Sequence, residues 1–161
     1  MTPEEYATLY PPENPLPRPN DASDAARRLS DTDGVVHMPC AAQMKATSRP
    51  GYKESKHLWV IVPDLVPVIL ETAPNVQPPP LSLGVAKHTN MTGGDPACCG
   101  GEIWSDGANP NLLHVNGGSG RYPAKSPKQL ADAVRVFEGF GYSVRSAGWS
   151  EENDCPERVF R

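Results

Sequence analysis

The amino-acid sequence predicts an α+β fold in which a mostly antiparallel sheet of five to six strands is covered by one long helix. Three observations predict this fold. Two apolar, β-branched runs flank Pro63-Asp64 within residues 57–73, which is typical of a hairpin. An amphipathic stretch at 126–140 has the apolar spacing of a helix. Short stretches rich in strand-forming residues lie between them, at 81–89, 100–104 and 112–116.

The chain has 161 residues, which fits one domain because domains commonly run to about 100–200 residues. Six of the 19 prolines fall in the first 20 residues. Proline fixes its own backbone and removes a hydrogen-bond donor. We therefore expect residues 1–20 to form an extended, Pro-rich arm and residues 21–161 to form a single α+β domain.

The elements after the arm follow from local signals. In "DASDAARRLSD", residues 21–31, Asp21 or Ser23 can cap a short helix. Turn-forming residues dominate 31–54. The hairpin of residues 57–73 comes next, with Pro63 in its turn. Nine of the 14 glycines then lie between Gly84 and Gly120, so we expect tight turns or close backbone approach along the next three strands.

The helix at 126–140 has the clearest boundaries. Ser126 is a candidate N-cap, Pro127 suits the first helical position, and Gln129 completes a capping box. Apolar residues follow at helical spacing, and Gly141 ends the helix. "YSVRSAGW" then predicts a last strand, before a polar tail.

Composition narrows the classes of partner. The formal net charge of −4 and a pI near 5.5 make DNA an unlikely ligand, because general phosphate-backbone binders usually carry a basic face. No apolar run of about 20 residues is present, so we expect no membrane span. The N-terminus lacks the basic and apolar regions of a signal peptide. We expect a cytoplasmic protein, or one delivered by a route without a signal peptide.

The four cysteines lack the spacing of a zinc site. Cys98 and Cys99 are adjacent, and no C-x-x-C pair is present. We therefore expect four unbridged thiols and no metal.

The stretch "NGGSGRY", residues 116–122, predicts a binding site. We call its residues 117–122 the hook. The planar guanidinium of Arg121 can grip a carboxylate or phosphate through two hydrogen bonds. Ser119 and the backbone N–H groups of the hook could surround the same anion, and Tyr122 could stack on a ring. Alternatively, the hook is a turn whose Arg121 pairs with an acidic residue, and Tyr122 packs beneath the helix.

Two further residues are candidates for catalysis. His88, at the end of the predicted strand 81–89, can act as an acid or base near neutral pH, and Thr89 and Asn90 follow as candidate substrate-binding residues. Glu102 shares a strand face with Trp104, which makes it a member of a polar network or a catalytic group. The alternatives are a histidine that binds a loop carbonyl and a glutamate that faces solvent.

Four stretches together resemble a known family: "SKHLWVIV", "KHTNMTGG", "CGGEIW" and "SGRYPAKSP". They are similar to the core domain of plant calmodulin-binding IQ-motif proteins and of related C-terminal domains in bacterial toxin-like proteins. That pattern has "HSS" before the paired glycines and "SGHY" before the helix, where this chain has Asn90 and Arg121 in place of the second serine and the histidine. The resemblance covers roughly residues 55–140 and implies a shared fold and a pocket built from the "HT" and "SGRY" stretches. No IQ motif is present, so calmodulin binding does not transfer.

These residues favour an enzyme that acts on a phosphate-bearing nucleotide, and the resemblance implies that it is small and toxin- or effector-like. ADP-ribosyl transfer, with NAD as a substrate rather than a bound cofactor, and metal-independent RNA cleavage both suit such a set. The alternative is a non-catalytic binding module, an inhibitor or accessory subunit that holds a protein partner through the N-terminal arm. The enzyme hypothesis predicts a small anionic or nucleotide ligand.

Overall fold

The computed structural model describes residues 1–19, 21–72 and 75–161, which form three α-helices and nine strands. The helices are α1 (Pro3–Leu9), α2 (Thr89–Thr92) and α3 (Pro127–Gly139). The strands are β1 (Val36–His37), β2 (Ala46–Thr47), β3 (His57–Ile61), β4 (Pro67–Leu70), β5 (Cys99–Asp106), β6 (Leu112–Asn116), β7 (Ser143–Ser146), β8 (Trp149–Ser150) and β9 (Cys155–Pro156).

Seven of the strands form one mixed, mostly antiparallel sheet, which confirms the α+β class. Its order is β1-β4-β3-β5-β6-β7, and β2 pairs with the end of β5. The β2–β5 and β6–β7 pairs are parallel, and the others are antiparallel. The sheet therefore has more strands than the five to six predicted, because β1 and β2 are two-residue strands in the region predicted as loop. Strands β8 and β9 form a separate small hairpin.

Both faces of strand β3 are buried, which explains why every residue of the strand after His57 is apolar. Trp59 and Ile61 point to one core cluster, whereas Leu58 and Val60 point to a second. Helix α3 packs on the first cluster, where the rings of Trp59 and Phe137 meet edge to face with centroids 5.2 Å apart.

Helix α3 begins where the capping residues predicted. Ser126 Oγ accepts a hydrogen bond from the Gln129 N–H at 3.0 Å. The Gln129 Oε1 atom accepts a hydrogen bond from the Lys125 N–H at 2.8 Å. A complete capping box would have this bond come from the Ser126 N–H. The helix has 13 residues and shares its side of the sheet with α1, so short helices cover the sheet in place of one long helix.

The start of the N-terminal arm is not extended. Thr2 and Glu5 form a capping box that begins α1, and Pro3 is compatible with this helix because the first turn needs no proline N–H. The Tyr6 side chain is fully buried in the first core cluster, and its hydroxyl donates to the Gln129 carbonyl at 3.2 Å. Residues 11–19 then run without helix, and Glu13 forms an isolated bridge with Ala97.

Two other predicted elements are absent. Residues 23–26 form turns instead of a helix. Residues 81–89 form turns around Gly84, which has a φ of +70°, so this stretch makes no strand of the sheet. Asn20, at the end of the predicted arm, and Ala73, at the end of the predicted hairpin, lie outside the described residues.

Within the described ranges, no helix has the length and apolar character needed to cross a membrane.

Candidate functional site

The hook follows β6, and its own polar groups hold its shape. Asn116 Oδ1 accepts from the Gly118 N–H at 2.9 Å. Ser119 Oγ accepts from the N–H groups of Arg121 and Tyr122 at 3.3 and 3.1 Å. These donors are satisfied within the chain, so they are not free to surround an anion.

The glycines of this region let the chain approach itself. A Cβ atom at Gly118 would lie 2.9 Å from Asn116 Oδ1 and 3.2 Å from Glu102 Oε2. A Cβ atom at Gly101 would lie 2.0 Å from the Asn116 carbonyl oxygen and 2.6 Å from the Trp59 ring. The glycine-rich sequence therefore places backbone directly against the carboxylate of Glu102.

Glu102 is buried in the middle of β5, with 7 % of its surface exposed. Its Oε1 atom accepts a hydrogen bond from Lys56 Nζ at 3.0 Å, and its Oε2 atom accepts one from Asn116 Nδ2 at 2.9 Å. Arg158 Nη1 lies 3.7 Å from Oε1. The carboxylate thus belongs to a polar network, which is one of the three interpretations that the sequence left open, and it does not face solvent.

Lys56 connects this carboxylate to a second one. Its ammonium lies 3.0 Å from Glu102 Oε1 and 3.2 Å from Glu71 Oε2. Burial alone would lower the pKa of Lys56, but the hydrogen bonds and charges of the two glutamates outweigh it and raise that pKa. Lys56 is therefore charged at neutral pH and places a cation between the two carboxylates.

His88 is a buried, neutral histidine. Burial lowers its pKa to about 4. Its Nε2 atom lies 2.9 Å from the carbonyl oxygen of Gly101, and because a carbonyl only accepts, Nε2 carries the proton. Nδ1 is then the unprotonated nitrogen, and no described residue donates a hydrogen bond to it. His88 lies at the N-cap position of α2 instead of at a strand end.

Thr89 and Asn90 hold a neighbouring turn. Thr89 Oγ1 donates to the carbonyl of Ala25. Asn90 Nδ2 donates to the carbonyls of Asp24 and Arg27 at 3.0 and 2.9 Å. Both side chains are buried and lie outside the lining of the pocket that contains His88.

Arg121 is engaged by an acidic residue, as the alternative reading of the hook proposed. Its Nη1 atom donates to Asp21 Oδ2 at 2.5 Å, and its Nη2 atom pairs with Asp21 Oδ1. Tyr122 is buried, and its hydroxyl bonds to Thr92 Oγ1 at 2.7 Å and donates to the Asp95 carbonyl at 2.8 Å. Tyr122 therefore packs inside the protein, and its ring is not available for stacking on a ligand.

One pocket of about 430 Å³ brings His88, Glu102 and Arg121 together, a size within the range of small-ligand sites. Five basic and three acidic residues line it: Arg18, Lys56, Lys87, Arg121, Arg158, Asp21, Glu71 and Glu102. Five positive minus three negative charges leave two positive charges, in a chain whose net charge is −4. The pocket therefore favours an anionic ligand.

The sequence interpretation missed most of the charged residues that line this pocket and the partners of Glu102 and Arg121, among them Asp21, Lys56, Asn116 and Arg158. Lys56 precedes a predicted strand and Asn116 ends one, and a polar residue at a strand end is a signal that could have identified both as site residues. Arg158 arrives from the C-terminal tail, where Asn116 Nδ2 donates to its carbonyl at 3.2 Å. The sequence marks Asp21 only as a candidate helix cap, and no local pattern marks Arg158.

The cysteines lie apart from this pocket. All four are free, and Cys155 alone among them is exposed. Within the described ranges, no three His, Cys, Asp or Glu side chains are grouped closely enough to hold a metal ion.

Comparison with known proteins adds no relative. No protein-family model, curated protein or solved structure matches the chain. The resemblance to the IQ-motif core domain and the toxin-like domains therefore stays a prediction.

Proposed function

We propose that the protein is an enzyme that acts on a phosphate-bearing nucleotide, and that the pocket around Glu102 is its active site. One observation carries the proposal: a buried carboxylate and a buried neutral histidine share a pocket whose basic side chains outnumber its acidic ones. Basic side chains would hold the phosphates, and the two buried groups would meet the sugar.

The reaction that these groups support best is ADP-ribosyl transfer from NAD. In that reaction the bond between the ribose C1′ atom and the nicotinamide nitrogen breaks, and its electron pair leaves with nicotinamide. The acceptor then forms a bond to C1′ and loses a proton. Positive charge develops on the ribose in the transition state, and a fixed carboxylate nearby stabilises it.

Glu102 suits this role because its carboxyl group is buried and held in place. Lys56 and Asn116 each donate to one of its oxygens, so the carboxylate needs little reorganisation during the reaction. His88, with an unprotonated Nδ1, suits a hydrogen bond from a ribose hydroxyl. Its pKa of about 4 makes it a poor proton donor at neutral pH, which gives RNA cleavage less support because that reaction needs an acid for the leaving oxygen.

The test is to incubate the purified protein with NAD and to measure nicotinamide release, while calorimetry measures ADP-ribose binding. We expect turnover in the wild type and a loss of at least about 100-fold in Glu102→Gln, with ADP-ribose binding retained. Glu138→Gln, on the exposed side of α3, makes the same charge change away from the pocket and should leave both measurements unchanged.

Two outcomes would contradict the proposal. If neither NAD nor ADP-ribose binds, the pocket is not a nucleotide site. If they bind without turnover under any acceptor, the protein is a binding module, and the exposed Leu9 and Leu16 of its N-terminal segment become the first residues to test for a protein partner.

A further inference from the structure

The N-terminal residues 13–19, which we call the strap, cross over the hook. Glu13 exchanges two backbone hydrogen bonds with Ala97, of 2.9 and 3.0 Å. Leu16 donates its N–H to the Arg121 carbonyl at 2.9 Å, and Arg121 Nη1 donates to the Leu16 carbonyl at 3.2 Å. The strap is therefore tied to the hook at two points, and its last residues form one wall of the pocket.

Asp21 follows the strap and occupies the guanidinium of Arg121 through both of its carboxylate oxygens. Two parallel N–H···O contacts between a guanidinium fork and two oxygens are also the geometry in which arginine binds phosphate. The Asp21 carboxylate thus stands where one face of a phosphate group would stand. Its side chain is 35 % exposed, whereas that of Arg121 is 9 % exposed.

Arg18, in the strap, adds a second guanidinium next to the first. A side chain at Gly120 would overlap the Arg18 guanidinium, so Arg18 lies directly against the hook. Burial and the positive charge of Arg18 lower the pKa of Arg121, although an arginine stays charged at neutral pH. No described carboxylate forms an ion pair with Arg18, whereas Arg121 pairs with Asp21, so the carboxylate of Asp21 balances only one of the two neighbouring cations.

We propose that Arg18 and Arg121 form a phosphate subsite of the pocket, and that Asp21 occupies this subsite when no ligand is bound. The inference rests on the proposed function, because the incoming anion is the phosphate or diphosphate group of the nucleotide. A phosphate carries more charge than a carboxylate and can bond to both guanidinium groups. The side chain of Asp21 is 35 % exposed, so water can solvate the carboxylate once the ligand displaces it from Arg121.

Calorimetric titration with inorganic pyrophosphate tests the subsite directly. Asp21→Asn removes the competing charge and keeps the size of the side chain, so we expect pyrophosphate to bind at least about tenfold tighter than to the wild type. Asp64→Asn, in the exposed turn between β3 and β4, makes the same change in net charge and should alter the affinity by less than about twofold.

Arg18→Gln removes one of the two cations of the subsite, whereas Asp21→Asn removes the competing anion. Arg18 is exposed, so we expect the variant to fold normally. We expect pyrophosphate binding to weaken about tenfold in this variant. Gly120→Ala should weaken it as well, because the added methyl group displaces the Arg18 guanidinium.

The outcomes separate this inference from the proposed function. Tighter pyrophosphate binding by Asp21→Asn supports the subsite, and it does so even if NAD is never turned over. Nucleotide binding that is unaffected by Asp21→Asn and by Arg18→Gln overturns the subsite and leaves the proposed function standing. If pyrophosphate and ADP-ribose bind to none of the variants, both proposals are wrong.

Discussion

Asn116 and Glu102 face each other across strands β6 and β5, and a single amide joins them twice. Asn116 Oδ1 accepts from the Glu102 N–H at 3.1 Å, and Asn116 Nδ2 donates to Glu102 Oε2 at 2.9 Å. Asn116 has no exposed surface. Because Oδ1 also accepts from Gly118, this one side chain fixes both the carboxylate and the start of the hook.

Replacing Asn116 by aspartate should destabilise the protein strongly. The change removes the donor to Glu102 and puts a second negative charge beside the first in a buried place. We expect the free energy of unfolding at pH 8 to fall by about 3–5 kcal/mol, and by less near pH 4, where protonation of one carboxyl relieves the repulsion. Denaturant unfolding at both pH values measures this. Asn111→Asp, in an exposed turn, is the control, and an equal loss in both variants would contradict the argument.

Two buried histidines should make the protein sensitive to acid. Burial lowers the pKa of His57 and of His88 from 6.5 to about 4. Between those values the unfolded chain binds protons that the folded chain does not, so stability falls as the pH drops from about 6.5 to 4. The upper limit is about 3 kcal/mol for each histidine.

Urea unfolding from pH 7 to pH 4 checks this dependence. The slope of stability against pH should become smaller in His57→Gln and in His88→Gln, whatever the absolute stability of each variant. His37→Gln, at an exposed position, should keep the wild-type slope. Parallel curves for all four proteins would show that the buried histidines do not cause the acid sensitivity.

Phe137 should contribute strongly to the core beneath α3. Its side chain is fully buried and meets the Trp59 ring at 5.2 Å. Phe137→Ala should lower the free energy of unfolding by about 3–5 kcal/mol, the usual cost of removing a buried aromatic ring. Phe140→Ala, at the half-buried end of the same helix, should cost clearly less in the same thermal melts. A similar cost for both would show that α3 does not pack as described.

The thiols should differ in reactivity. Burial raises the pKa of Cys40 and Cys99 to about 12 and that of Cys98 to about 11, and a thiol reacts through its thiolate. In the native protein at pH 8, we expect one fast reaction with a thiol reagent, at the exposed Cys155, and four after unfolding. Cys155→Ser should abolish the fast reaction, and a second fast thiol would mean that one of the buried sites opens readily.

The sequence predicts those elements whose causes are local. The Ser126 cap and the apolar spacing around Phe137 locate α3, and the apolar runs on either side of Pro63 locate β3 and β4. The N-terminal helix escapes prediction because the prolines of residues 1–20 suggest extension. Its capping box of Thr2 and Glu5 is an equally local signal, and Pro3 fits the first turn of the helix.

The candidate site is predictable only in part. The sequence identifies His88, Glu102 and Arg121, which do line one pocket, because each lies beside glycines or at the end of a predicted strand. It does not reveal their partners. Asp21 lies 100 positions from Arg121 and Lys56 lies 46 from Glu102, and no local periodicity encodes such pairs. Thr89 and Asn90 share the local signal, but only the fold shows that they bind a neighbouring turn.

The same long separations bear on how the molecule reaches its folded state. A helix such as α3 closes short loops and can form early, whereas the pairs of Arg121 with Asp21 and of Glu102 with Lys56 close long ones at a larger entropic cost. The strap and the C-terminal tail complete the pocket walls from the two outer parts of the sequence. We therefore expect the walls formed by these outer segments to assemble late in folding and to be lost early in opening, so that a chain that keeps most of its sheet can already lack the complete pocket. A ligand of the pocket would select the complete fold over every partly folded form, and it would slow the opening of both outer segments together.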